Sequence, residues 1–261
     1  MAAVMPGASA LLVSDIHLSA LQPRTTAAFL QFLASVPGRA ASLYILGDLF
    51  EYWAGDDDVD DAYPARILAA LRAVSGAGVA LYFMAGNRDF LAGPGFEAAS
   101  GARILPDPYV LEFKFSASPR TVLLSHGDAL CTDDLDYQTF RSQVRTQAWR
   151  KAFLAQPLAE RKTVIARLRS RSEAVKRDKP AAIMDVNAVA VRRLLREQHG
   201  DVLIHGHTHR PGVEHLTVNR DGMPAHLQRW VLTDWDCDGA PMRGGGLRLG
   251  PEGMTRFGLD G

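Results

Sequence analysis

Cysteine is scarce in this chain: Cys131 and Cys237 are the only two among 261 residues, far apart and without a C-x-x-C partner. That excludes a disulfide framework and makes a reducing cytoplasm the default expectation. Long apolar runs are lacking as well, and none approaches the ~18–20 residues that span a bilayer. The opening stretch MAAVMPGASALLV has no positive n-region and runs straight into an apparent strand, so no signal peptide is expected. Net charge is also missing: twenty-nine basic residues balance twenty-nine acidic ones. A balanced chain has no global cause to bind nucleic acid. Internal repeats and low-complexity linkers are absent too. What is present, 47% hydrophobic and 22% charged residues, suffices for one packed domain over 1–261, with room for an insertion.

Short apolar runs alternate with helical patterns. Ala10–Ser14, Ser42–Leu46, Val79–Met84, Thr121–Ser125 and Val202–His205 read as buried strands. Thr25–Val36 and Ala62–Ser75, between the first three, have helical period, which implies a largely parallel sheet covered by helices, an α/β arrangement. Beyond His209 the texture is turn-rich β, over Val213–Val218, Leu227–Trp235 and Gly246–Phe257.

Chemistry-bearing motifs follow the strands. Asp15-Ile16-His17 comes after the first, Gly47-Asp48 after the second and Gly86-Asn87-Arg88 after the third. His126-Gly127-Asp128 and His205-Gly206-His207-Thr208-His209 follow the fourth and fifth. Loops beyond the carboxyl ends of parallel strands converge on one crevice, so these residues can share a site. Carboxylate, amide and imidazole donors without thiolate suit Mn²⁺, Fe²⁺ or Zn²⁺. Gly206 is expected to turn the backbone so that His205 and His207 face different ions. Asp48, with two oxygens, can bridge them.

From Arg141 to Lys179 twelve basic residues stand against Glu160, Glu173 and Asp178, and apolar residues such as Trp149, Phe153 and Ile165 recur at helical spacing. This reads as a helical insertion over 135–180. Its excess of nine positive charges favours an anionic partner.

The order Asp-x-His, Gly-Asp, Gly-Asn, His, Gly-His-x-His resembles the calcineurin-like metallophosphoesterases over residues 15 to 207. The resemblance implies a sandwich of two β-sheets flanked by helices, an α+β fold, with a helical cap. It implies Asp15, His17, Asp48 and His207 on one ion, and Asp48, Asn87, His126 and His205 on the other. His209 is left over, to orient a neighbouring ligand or to pack. Most of the superfamily has histidine at Arg88; an arginine fork there suits two phosphate oxygens and hence a diphosphate.

The stretches GDLFEYWAGDDD (47–58), AGNRDF (85–90), SHGDALCTDD (125–134), AIMDVN (182–187) and IHGHTHRP (204–211) resemble the UDP-2,3-diacylglucosamine diphosphatases of Gram-negative lipid A synthesis. That resemblance implies water attacking the α-phosphate, with UMP and 2,3-diacylglucosamine 1-phosphate (lipid X) as products. Asp48, Asn87, Arg88 and His126 are then the catalytic residues. Asn87, Arg88, Asp134, Ser172, Lys176, Lys179 and His205 are the substrate contacts, although the family often has Asn where this chain has Lys176. Two Mn²⁺ ions, peripheral attachment to the cytoplasmic face of the anionic inner membrane, and no nucleic acid partner complete the expectation. The alternatives are another dinuclear phosphoesterase acting on nucleotides or phosphoproteins, a nuclease, and a non-catalytic scaffold. Arg88, the cap and the full donor set weigh against them.

Overall fold

In a computed structural model, which describes residues 9–178, 185–220 and 222–259, the apolar runs become strands. β1 (Ala10–Val13), β2 (Ser42–Leu46) and β3 (Ala80–Met84) are joined by helices α1 (Pro23–Ser35) and α2 (Ala62–Gly76). Next come α3 (Pro94–Ser100), β4 (Arg103–Leu105), β5 (Tyr109–Lys114) and β6 (Pro119–Ser125). Three helices follow: α4 (Leu135–Val144), α5 (Gln147–Leu154) and α6 (Leu158–Asp178). The chain continues through α7 (Ala188–Glu197), β7 (Val202–His205), β8 (Gly212–Arg220), β9 (Met223–Val231), β10 (Gly246–Gly250) and β11 (Gly253–Phe257).

The strands form two mixed sheets, ordered β11-β10-β1-β2-β3-β4 and β5-β6-β7-β9-β8. β1 to β4 run parallel in the first, and β6, β7 and β9 run parallel in the second. Side-chain alternation explains why the sequence runs are apolar throughout rather than every second residue. Leu11, Val13, Leu43 and Ile45 face Phe29, Phe32, Ile67 and Leu71 of α1 and α2. Ala10, Leu12, Tyr44 and Leu46 face the other way, onto Leu111, Val122, Leu124 and Ile204 of the second sheet. Beyond that sheet, Leu123 and Leu203 pack on Val191 and Leu195 of α7. The layers are therefore helix, sheet, sheet, helix.

Two expected strands are shorter than their apolar patterns. The run from Gly246 to Phe257 folds into the β10–β11 hairpin, turning at Gly253 with φ of 139°. β9 stops at Val231 because the chain then leaves the second sheet for the first, where Trp235 N–H donates to Asp15 O at 3.0 Å. Gly206 also differs from expectation: its φ is not positive, and a Cβ there would collide with Asp15 Oδ2 and Ser14 Oγ. It allows the two sheets to approach, and does not supply a turn between two ligands.

Helices α4 to α6 lie against one end of this frame. Phe153 is buried among frame residues, and Trp149, Val164 and Ile165 pack beside it. Charge does the rest of the seating. The buried Arg161 guanidinium donates to Ala54 O and Asp57, and Lys162 reaches Asp58 at 2.6 Å. Arg141 Nε lies 2.7 Å from the enclosed Asp128, which also accepts from Tyr137 OH at 2.6 Å. Among the described residues no helix is long and apolar enough to cross a membrane.

Candidate dinuclear active site

Asp15 and His17 follow β1, Asp48 follows β2, Asn87 and Arg88 follow β3, His126 follows β6, and His207 and His209 follow β7. All are beyond the carboxyl ends of parallel strands, and the two sheets bring them to one edge of the sandwich. Short backbone bonds hold the loops: Asp15 N–H to Gly47 O at 3.1 Å, His17 N–H to Asp48 O at 2.9 Å, and Gly206 N–H to His126 O at 2.9 Å. Among the described residues, six non-glycine residues have positive φ, and five are Asp15, His17, Asp48, His207 and His209. Such backbone persists only where its surroundings over-determine it, typically at functional sites. Here the buried Asp89 carboxylate helps, accepting from Leu49 N–H and Gly86 N–H at 2.8 Å each. Burial and the neighbouring Asp48 push its pKa up to about 7.

The donor atoms fall into two groups that share Asp48. In the first, His17 Nε2 lies 3.3 Å from His209 Nε2, 4.0 Å from Asp15 Oδ1 and 3.9 Å from Asp48 Oδ2, and His209 Nε2 lies 3.5 Å from Asp15 Oδ1. In the second, His126 Nε2 lies 3.0 Å from Asn87 Oδ1 and 3.7 Å from Asp48 Oδ2, with the His207 ring 5.1 Å from that of His126. Donors bound at about 2.1 Å around one small divalent ion stand roughly 3–3.5 Å apart, so the spacings are close to those of a cradle.

Tautomers agree with that reading. His126 Nδ1 donates to Leu46 O at 2.9 Å, and His17 Nδ1 lies 3.0 Å from Glu51 Oε2. The His126 ring therefore turns an Nε2 lone pair inward, as ligating imidazoles do, and the carboxylate beside His17 Nδ1 favours the same tautomer there. His209 has a looser version of the same support: its Nδ1 is 3.6 Å from Asp234 Oδ2, and Arg243 Nε holds Asp234 at 3.0 Å. Asp15 Oδ1 is buried without a hydrogen bond of good geometry. The field is cation-seeking. Burial opposes charge on His126, yet Asp48, Asp15 and Asp128 outweigh it and push its pKa up to about 9. The residues present fit a pair of divalent ions.

The structure places two of the expected donors differently. His205 shares the strand parity of Leu203, so its ring points towards the α7 side and not into the crevice between the sheets. It is fully enclosed, its Nδ1 lies 2.9 Å from Gly206 O, and it lines neither cleft of the site. Burial lowers its pKa to about 4, as it does that of His207, so protonation does not distinguish the two rings. Among the described residues His205 thus lies apart from both donor groups and both clefts. His209 takes the position beside Asp15 and His17 that His207 was expected to fill, and His207 moves to the His126 group. The motif itself carried this signal, because Gly-His-x-His read literally is Gly206-His207-Thr208-His209.

Arg88 is half-buried, donates its backbone N–H to Asp48 Oδ1 at 2.8 Å, and lines both clefts that meet at the donors. The larger cleft, about 810 Å³, runs from Asn87, Arg88 and His209 to a wall that includes Phe90, Val144, Trp149, Phe153, Ile165 and Leu168. Asp134 caps α4 through Tyr137 N–H at 3.1 Å and lines the same cleft. Ser172 and Lys176 belong to α6, but their side chains, like the whole of Lys179, lie outside the described residues.

A shared pair of donor groups at the carboxyl edge of a two-sheet sandwich defines a class of metal-dependent phosphoesterases. The calcineurin-like phosphoesterase family matches residues 9–211, and the chain belongs to that family. Within it, the similar curated proteins are UDP-2,3-diacylglucosamine hydrolases. One from Aromatoleum aromaticum is 50% identical over 96% of this chain and 98% of its own length. One from Chromobacterium violaceum is 49% identical over 95% and 97%, and one from Escherichia coli O7:K1 is 46% identical over 89% and 93%.

Proposed function

We propose that this chain hydrolyses the diphosphate bond of UDP-2,3-diacylglucosamine in lipid A biosynthesis, with UMP and 2,3-diacylglucosamine 1-phosphate as products. The observation that carries this reading is a cleft that runs from the donors Asn87, His207 and His209 to an apolar wall from α4 to α6. A nucleotide or phosphoprotein needs no such wall, whereas two acyl chains do. Asp15, His17, Asp48 and His209 would hold one ion, and Asp48, Asn87, His126 and His207 the other. When bound, such ions would supply Lewis-acid charge for activating water and neutralising phosphoryl oxygens.

The chain's own residues do the positioning. Arg88 offers a planar fork to the phosphates and, being always charged, acts as clamp and not as proton shuttle. The apolar wall holds the acyl chains and so orients the diphosphate across the donors. Mn²⁺ is the ion we favour, since oxygen and imidazole donors without thiolate suit it. Exposed Leu135, Phe140 and Leu154, together with Lys151 and Arg167, which have no carboxylate partner among the described residues, support peripheral attachment of the insertion to the anionic cytoplasmic face of the inner membrane.

The test is release of UMP from UDP-2,3-diacylglucosamine by purified protein. Release should stop when a chelator strips the ions and return with Mn²⁺. No UMP from the metal-replete protein would sink the assignment.

A further inference from the structure

Glu51 sits three residues beyond Asp48, and its carboxylate serves three separate elements. Oε2 lies 3.0 Å from His17 Nδ1, on the loop after β1. Oε1 lies 2.5 Å from Arg169 Nη2, on α6 of the insertion, and 3.6 Å from Arg88 Nη1, on the loop after β3. The Glu51 side chain is only 16% exposed, and those of His17 and Arg88 are 14% and 15% exposed. An exposed ion pair between Arg169 and Glu51 would contribute little. An enclosed carboxylate that also orients a ligating imidazole is a different case.

We propose that Glu51 is a positioning residue that ties the helical insertion to the metal-binding imidazole of His17. The Glu51 carboxylate, 3.0 Å from Nδ1 though not aligned as a hydrogen bond, faces that nitrogen and leaves Nε2 towards Asp15, Asp48 and His209, the arrangement in which carboxylate partners orient ligating histidines. Arg169 on the other oxygen restrains the carboxylate. Without it, Glu51 is free to swing onto Arg88 and loosen its hold on His17. The seat of α6 and the affinity of the ion beside His17 are therefore coupled, and such coupling is reciprocal. A ligand that seats α6 more firmly tightens that ion, and the ion in turn favours the seated helix. This rests on the two-ion reading of the site and is independent of which diphosphate is cleaved.

Ion affinity of the purified full chain, titrated with Mn²⁺ against a competing chelator, provides a readout apart from turnover. Thermal melts of each variant monitor folding. Glu51→Gln keeps the shape but has one acceptor oxygen, so it can serve His17 or the arginines and not both. Affinity at one of the two positions should fall about ten-fold, the lower end for an outer partner of a ligand. Arg169→Ala, remote from the donors, should lower the same affinity about five-fold, and Arg169→Lys should recover part of that. In the Glu51→Gln background Arg169→Ala should add nothing, because the path runs through the carboxylate. Wild-type ion affinity in Arg169→Ala, or independent losses that simply add, would overturn the relay in a chain that still binds two ions. A wild-type chain that binds no ion would overturn the two-ion reading and the relay with it. A chain that cleaves some other diphosphate returns the same ranking of affinities, so the relay and the substrate assignment fail separately.

Discussion

The donor cluster sits on strand ends with strained backbone and, His209 apart, largely enclosed side chains, whereas the insertion sits on the frame through ion pairs and one edge of the core. Asp15, His17, Asp48, His207 and His209 all have positive φ, and bonds between loops tie Asp15, His17, Asp48 and His207 in place. Of the eight basic insertion residues whose side chains are described, Arg141, Arg145, Arg161, Lys162 and Arg169 pair with carboxylates of the frame. Arg150, Lys151 and Arg167 have none among the described residues. Placing two ions demands donors fixed to a few tenths of an ångström, which a strained but over-determined backbone can supply. Holding acyl chains demands apolar volume, which tolerates a looser seat. Much of the positive charge in the insertion is thus a docking device, and only the remainder is available to an anionic partner.

The sharpest way to break that contrast is to damage the donor end alone. Asp48 Oδ2 faces both groups, so Asp48→Ala should reduce turnover by more than the ~10²–10³-fold lost with a single electrostatic donor. The insertion should remain seated, since none of its ion pairs among the described residues involves Asp48. Turnover and the fluorescence of Trp149 at the insertion, isolated by replacing the other tryptophans with phenylalanine, read the two ends separately. Substantial turnover in a folded Asp48→Ala protein would remove the bridging role.

A second comparison lies within one motif. His209→Ala should lower affinity for one ion beyond the ~10–100-fold typical of an outer-shell partner, and turnover with it. His205→Gln should bind two ions as wild type does. Its cost should appear as stability, on the order of 1–3 kcal/mol for disturbing an enclosed polar group. Metal stoichiometry and thermal melts on both variants decide the matter, and the reverse pattern would restore His205 as a ligand.

Where the sequence was legible, strong local signals carried it. The five buried strands at Ala10, Ser42, Val79, Thr121 and Val202 could be read because both faces are apolar. The carboxyl-end rule then placed every motif at one crevice. It was less legible where tertiary context decides. Arg103–Leu105 is three residues long and is a strand only because β3 offers an edge. α7 is not among the expected helices, although the Asn187 cap, which accepts from Val189 N–H and Ala190 N–H, marks its start. The choice between His205 and His209 needed strand parity, which depends on where β7 ends. Glu51 lies in the GDLFEYWAGDDD stretch, but its role, like those of Asp234 and Arg243, is recognisable only by the imidazole or carboxylate it touches.

The smallest expected effect tests the insertion's role most cleanly. Phe153 and Leu168 both line the large cleft, yet they differ in what else they do. Phe153 is 5% exposed and belongs to the core, so Phe153→Ala should cost stability, about 3–5 kcal/mol, and reduce use of every substrate alike. Leu168 is 38% exposed and faces the cleft without holding the fold. Fully burying a leucine contributes ~1.5–3 kcal/mol, and a side chain already partly covered should contribute about half of that to an acyl ligand. Leu168→Ala should therefore lower kcat/KM on the diacylated substrate by roughly three- to ten-fold, with most of the change in KM. A small phosphodiester that reaches only the donors should be cleaved as before, and the melting temperature should barely move. Equal losses on both substrates would mean that the apolar wall supports the fold and holds no acyl chain, leaving the donor end as the whole of the functional site.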